Sequence, residues 1–504
     1  MQVSVLVAML AVLTLSEGVT SSEAGPLPEW MGRLVGVKSL GLTVGVTVIL
    51  WSLFRWASQR LGARLSQAQH LGRETLRLPG RIDLLMRLVV LVTFAGTLTV
   101  GGWAHTVLEH WRLGRYVLID EWVLLLPFVA MTVVRWACFY PVNRTVREYV
   151  VAGQLAEGLS ARPVWTRREY LSFQVRSGLL LMLVPLSVIV AWKDVVQLLQ
   201  RQWFMETAWG EWASELGVGF GTLVVFVVAP ALLRRIWLTR SLPAGPLRER
   251  LEGFCQRLRL KHRDILLWDT FGGVANAAVM GVVGQLRYVL LSDALIENMS
   301  DEQIEAVFGH EAGHVKHHHI LFLVLSALAC GMLVVVASEW VAIGLAWLWP
   351  EDSPLNMYGQ WILGGTFVVL VGMWAGVFGC ISRRFERQAD VHAAQAVAAH
   401  GGGSREGSQA GSVTGSRLDV HGAQVMAAAL VRVALLNGIP PEARSWRHSS
   451  IASRARFLRE LATSETALAR FSRRLRVLKV AIFLTFAVGA AGAVWTFAVA
   501  ASQG

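Results

Sequence analysis

Apolar runs about as long as a bilayer is thick recur along this 504-residue chain, and they constrain its fold more than any other feature. A hydrocarbon layer of about 30 Å takes about 20 apolar residues per helix, and only helices or closed barrels satisfy every backbone group inside it. Eight such runs are read, at 36–54, 88–104, 122–141, 178–197, 216–233, 320–348, 361–381 and 480–500. A soluble chain of this length rarely combines 54% hydrophobic with 16% charged residues, so composition agrees. The expected class is a mainly α, polytopic membrane protein with about eight transmembrane helices.

Short cytoplasmic loops accumulate Lys and Arg, so arginine placement orients the runs. Arg55, Arg60, Arg64, Arg73, Arg77, Arg81 and Arg87 follow the first run; Arg144, Arg147, Arg162, Arg167, Arg168 and Arg176 follow the third. The alternate loops are poorer: Arg112 and Arg115 in one, Arg201 against Glu206, Glu211 and Glu215 in the next, and no Lys or Arg from Pro350 to Gln360. Alternation then assigns 234–319 and Arg383 with Glu386 to the cytoplasmic side, and Arg470, Arg473, Arg474, Arg476 and Lys479 anchor the last run there. The net charge of +12 is thereby topological. No zinc finger, RNP motif or basic stripe interleaved with aromatics accompanies it, so the expected partner is the lipid bilayer of a plasma membrane, such as the bacterial inner membrane, and not nucleic acid. Arg135 is expected to snorkel from the third run, and Glu339 to sit at the outer interface.

The chemistry is announced by His310-Glu311-Ala312-Gly313-His314, the H-E-x-x-H pattern of zinc hydrolases. Ser300 with Gln303 reads as a capping box, Asp301 and Glu302 put negative charge at the positive end of the dipole, and Ile304, Val307 and Phe308 supply an apolar face. On such a helix His310 and His314 share a face and can grip one ion. The best source of a third ligand is Glu386, in the helical stretch Ser382–Asp390, with Asp390 one turn beyond as an acceptor fixing a ligand imidazole. An ordinary charged interfacial helix is the competing reading of that stretch. His317, His318 and His319 close the zinc helix and are accounted for by its dipole, not as ligands.

These residues resemble the membrane-bound zinc endopeptidases that include the CAAX prenyl proteases and the bacterial heat-shock protease HtpX, of gluzincin type. The resemblance covers roughly 240–460. H-E-x-x-H with a downstream S-R-x-x-E-x-x-A-D is joined by Asn276-Ala277, by Arg287-Tyr288-Val289-Leu290-Leu291-Ser292, and by His448 six residues before Arg454. Ser449 stands where that family usually has proline. The resemblance implies a small α+β zincin-like catalytic domain on the cytoplasmic side, substrate contacts at Asn276 and Ala277, and catalytic roles for His448 and Arg454 beside a developing oxyanion. An ion pair from Arg454 to Asp390 is the alternative for that arginine, and a surface histidine the alternative for His448.

One Zn2+ held by His310, His314 and Glu386, with Glu311 as general base, would hydrolyse bonds of peptide or protein substrates, unfolded membrane proteins among them. A non-catalytic membrane scaffold or sensor retaining a structural zinc site is the second reading; retention of Glu311 argues against it, because a structural site needs ligands but no base.

The expected organisation is a signal-like segment 1–30 (Ser22-Glu23-Ala24 has the small-x-small form, with Met31 an alternative start), amino-terminal spans 31–236, a catalytic region 237–319, a helical hairpin 320–381, a second catalytic region 382–476 and a last span 477–504. Residues 237–260 read as an arginine-rich helix, 264–292 as short strands with a turn at Gly284-Gln285, 400–418 as a Gly/Ser loop, and 420–437 as a helix. An extended substrate is expected to add to the strand at Asp264–Thr270 or Gly273–Met280. Cys138, Cys255, Cys330 and Cys380 are too scattered for a disulfide framework.

Overall fold

The computed structural model describes residues 2–20, 33–67, 73–203, 210–348, 359–401, 418–443, 445 and 447–503. Its first helices are α1 (Gln2–Thr20), α2 (Val37–Gln67), α3 (Arg73–Leu98), the single turn α4 (Trp103–His105), α5 (Ile119–Ala156), α6 (Arg167–Gln174), α7 (Leu181–Trp203) and α8 (Gly210–Ile236). A mixed segment follows: β1 (Thr239–Ser241), α9 (Pro246–Arg257), β2 (Asp264–Trp268), β3 (Ala277–Met280), β4 (Tyr288–Ser292) and α10 (Asp293–Asn298). The chain closes with α11 (Asp301–Lys316), α12 (His319–Leu348), α13 (Gly359–Gly401), α14 (Val420–Leu436), α15 (Ile451–Ala462) and α16 (Glu465–Gln503). Ser22-Glu23-Ala24, Met31, the loop core 402–417, Pro350 and the side chain of Glu339 lie outside the described residues.

The strands form one sheet in the order β1-β2-β4-β3. β2 pairs antiparallel with β1, Thr239 opposite Trp268, and parallel with β4, Asp264 opposite Tyr288. Every residue of β4 is buried, as its unbroken apolar run suggests. With both edges of β2 occupied, Asp264–Thr270 cannot take up an added peptide strand. β3 stands at the end of the order. The strand β1 interrupts the helix expected over 237–260: that helix starts only at Pro246, whose fixed φ suits a first turn.

Two compact units are distinguished, the first comprising 1–242, 262–275 and 280–298, the second 243–261, 276–279 and 299–504. In the first, α2, α3 and α5 bury Phe54, Phe94, Phe128 and Trp136 in a common core, with the rings of Phe94 and Phe128 5.4 Å apart. The same helices leave Ile49, Val92 and Leu126 exposed, the outward apolar surface a lipid-facing helix presents. Among the described residues, five helical stretches are long and apolar enough to cross a membrane, or up to seven if each of two bent pairs is one span. Those stretches hold seven of the eight expected runs, on α2, α3 with α4, α5, α6 with α7, α8, α11 with α12, and α16; the remaining run, 361–381, lies in α13, outside that set.

One expectation within these helices is corrected. Arg135 does not snorkel: it is 2% exposed and pairs with Asp83. Inside an apolar bundle a carboxylate partner costs less than dragging the guanidinium to an interface from mid-helix. The four cysteines are free, with Cys138 and Cys255 buried as small apolar residues.

In the second unit, Phe254 of α9 meets Phe308 of α11 edge-on at 5.7 Å, and Arg250 holds the fully buried Glu305 at 2.7 Å. α14 approaches α13 so closely at Gly422 that a Cβ there would lie 2.0 Å from the Ala394 carbonyl oxygen.

Candidate metal centre

α11 is capped as its sequence dictates: Ser300 Oγ accepts the Gln303 N–H and Gln303 Oε1 accepts the Ser300 N–H. That start sets His310 and His314 one turn apart, ring centroids 4.9 Å from each other. α13 brings Glu386 and Asp390 to the same place because the facing positions are small. A Cβ on Gly309 would stand 3.2 Å from Ala393 Cα, and one on Gly313 3.1 Å from Ala389 Cα. Two glycines a turn apart against two alanines let the backbones close in, and close approach is what permits a short glutamate to reach two histidines.

His310 Nε2 lies 3.2 Å from His314 Nε2 and 3.5 Å from Glu386 Oε2; His314 Nε2 lies 3.7 Å from Glu386 Oε1. Four ligands at zinc bond lengths in a tetrahedron are separated by about 3.4 Å, so these spacings fit a cation of that size with one position open. Among the described residues this is the one cluster of three or more such ligand atoms within 4.8 Å of one another. Sequence reasoning named all three.

Around them lies a polar frame. His310 Nδ1 stands 2.9 Å from Asp390 Oδ1, an ion-pair distance that falls short of an aligned hydrogen bond. Arg454 of α15 donates to both oxygens of Asp390, Nε to Oδ2 at 2.8 Å and Nη2 to Oδ1 at 2.6 Å, and its Nη1 is 3.4 Å from Glu386 Oε2. The guanidinium of Arg454 is thus taken up by carboxylates behind the ligands. His448 Nδ1 lies 3.0 Å from Glu386 Oε1, with its side chain half-exposed at the rim. Ser449 beside it adopts φ +60°, which proline, locked near −65°, cannot reach, so the turn before α15 differs from the one a proline would make.

The charges follow from this frame. Burial alone would lower His310, but its contacts to Asp390 and Glu386 push it up to about 9. Burial and the neighbouring His310 push His314 down to about 4. Burial opposes the ionised form of Glu386, yet His310 and His448 hold it well below the usual carboxylate range. Asp390, likewise disfavoured by burial, is held down by Arg454 and His310. Glu311 is pushed the other way by burial, up to about 6, while the backbone of Val279 in β3 hydrogen-bonds it. Of the residues the resemblance implied for substrate, Ala277 opens β3, buried, and Asn276 precedes it, exposed.

The helix dipole alone does not account for His319: it is fully buried, its Nδ1 is 2.9 Å from His314 Nδ1, its Nε2 is 3.0 Å from Gln388 Oε1, and its ring stacks on Phe385. The turn at His317–His318, where His318 takes φ +54°, bends the chain by 48° between α11 and α12 and folds His319 back onto the site. A polar residue opening an apolar run was the available signal.

Residues 242–462 match the sequence model of Peptidase family M48. A protease HtpX homolog of Bacteroides fragilis is 27% identical over 157 residues, 29% of this chain and 46% of that protein. A CAAX prenyl protease 1 homolog of Arabidopsis thaliana is 27% identical over 180 residues, 34% of this chain and 42% of that protein. The matches thus span less than half the length of these curated relatives. The crystal structure of S. mikatae Ste24p aligns over 86% of this chain and 99% of that one at 14% identity and a TM-score of 0.38, too loose a superposition to define shared geometry. It is through residues 242–462, where the two histidines and the glutamate gather as described, that the chain matches peptidase family M48.

Proposed function

We propose that this protein is an integral-membrane zinc endopeptidase that hydrolyses peptide bonds of peptide or protein substrates at the cytoplasmic face, unfolded membrane proteins among them. The observation that supports it most is the pairing of a three-residue cluster of ligand atoms with an adjacent carboxylate, Glu311, that is not one of them. A zinc ion held by His310, His314 and Glu386 would supply Lewis acidity to a bound water and to the scissile carbonyl. Glu311, poised near 6 by burial, takes the attacking water's proton and passes it to the departing nitrogen. β3 stands at the end of the strand order, with its Val279 backbone on that base, so an extended substrate adding to this strand would bring its carbonyl beside Glu311. His448, half-exposed beside Glu386, is the donor for the developing oxyanion, and Arg454 acts behind it by holding Asp390. The arginine alternation supports a cytoplasmic site and eight spans, one more than the apolar-helix criterion reaches.

A non-catalytic scaffold with a structural metal would have no use for a base pushed up into the proton-transfer range. The test compares wild type with Glu311→Gln for bound zinc and for cleavage of an unfolded protein. Loss of cleavage with zinc retained is expected; unchanged cleavage, or no zinc in the wild type, overturns the proposal.

A further inference from the structure

Ligand histidines need their second nitrogen fixed, since the wrong tautomer puts a proton where the metal must bind. For His310 the fixing group is the carboxylate of Asp390. His314 has no carboxylate there. Its Nδ1 faces His319 Nδ1 at 2.9 Å, and His319 Nε2 faces Gln388 Oε1 at 3.0 Å.

We infer that His319 and Gln388 are positioning residues that fix the tautomer of His314; the inference rests on the zinc site just proposed. A carbonyl oxygen only accepts, so the proton of His319 is on Nε2. A neutral imidazole has one proton, which leaves His319 Nδ1 an acceptor. His314 Nδ1 must then donate, and its Nε2 presents a lone pair to the point shared with His310 Nε2, 3.2 Å away, and Glu386 Oε1, 3.7 Å away. Reversing the Gln388 amide would invert every step and protonate His314 on the ligand atom. The ring of His319 is held for this task, fully buried and parallel to Phe385 at 4.4 Å and 3°. The two ligand histidines are therefore steered differently, one by an anion clamped to an arginine and one by a neutral relay.

The test uses the full-length protein in detergent, with zinc affinity measured by chelator competition and the melting temperature of the zinc-free form recorded alongside. His319→Phe keeps the stack and removes both nitrogens; Gln388→Met removes the acceptor. Each is expected to weaken zinc binding by about 10–100-fold while the zinc-free melting temperature holds. His319→Asn, which returns an oxygen near the Nδ1 position, is expected to recover part of the loss, and Gln388→Glu to bind zinc at least as tightly as wild type. Losses below tenfold in both His319→Phe and Gln388→Met, or no recovery in His319→Asn, overturn the inference. A wild type that binds no zinc fails the earlier proposal instead.

Discussion

Arg454 grips Asp390 with two nitrogens, at 2.8 and 2.6 Å, and Asp390 is completely buried. Removing one partner of such a pair strands the other's charge, at a cost of about 3–5 kcal/mol, whereas removing both is far milder. Arg454→Met is therefore expected to lower the melting temperature of the zinc-free protein strongly. Asp390→Asn combined with Arg454→Met should cost less than the sum of the single changes. Strict additivity in that double-mutant cycle would contradict the clamp.

Gly313→Ala sets two effects against each other. Helix propensity favours alanine by about 1 kcal/mol. Overpacking costs about 1–3 kcal/mol, and the contact at 3.1 Å is backbone, Ala389 Cα, which cannot rotate aside. Overpacking wins, so a net loss of up to about 2 kcal/mol is expected, with weaker zinc binding as α11 and α13 separate. Gly331→Ala, where a Cβ would meet nothing within 4 Å, is the control and should be neutral or stabilising.

His310 sets a pH window. Its folded-state pKa in the zinc-free protein is raised to about 9 from the ordinary 6.5. Protonated His310 thus stabilises the zinc-free fold fully below pH 6.5, and that contribution fades as pH climbs through 9. Zinc must displace the same proton, so its affinity should rise between pH 7 and 9 by up to about tenfold per pH unit, then level off. Chelator competition at several pH values reads this directly; a flat profile would speak against a charged His310.

If the β3 backbone supports Glu311, Val279→Pro deletes the N–H that does so. Cleavage efficiency is expected to fall at least tenfold with zinc retained, while Val279→Ala, which keeps the N–H, stays within about threefold of wild type. Equal activity in both variants would show that β3 has no part in the chemistry.

What could be read from residues alone followed the range of the interactions. The cap at Ser300, the helical register of His310 and His314 and the one-turn step from Glu386 to Asp390 are local, and local spacing predicts them. Apolar length likewise located most of the long apolar helices. What stayed hidden depends on partners distant in sequence or on a change of direction: Asp83 for Arg135, and the bend that returns His319 to His314. β1 escaped because three residues are too few to show a period.

α13 runs unbroken for 43 residues, so Glu386 and the apolar stretch 361–381 share one rigid rod, whereas α11 is separated from α12 by a sharp joint at His317–His318. A tilt anywhere along that rod would carry Glu386 with it, whereas flexing at the His317–His318 joint would leave His310 and His314 where they stand.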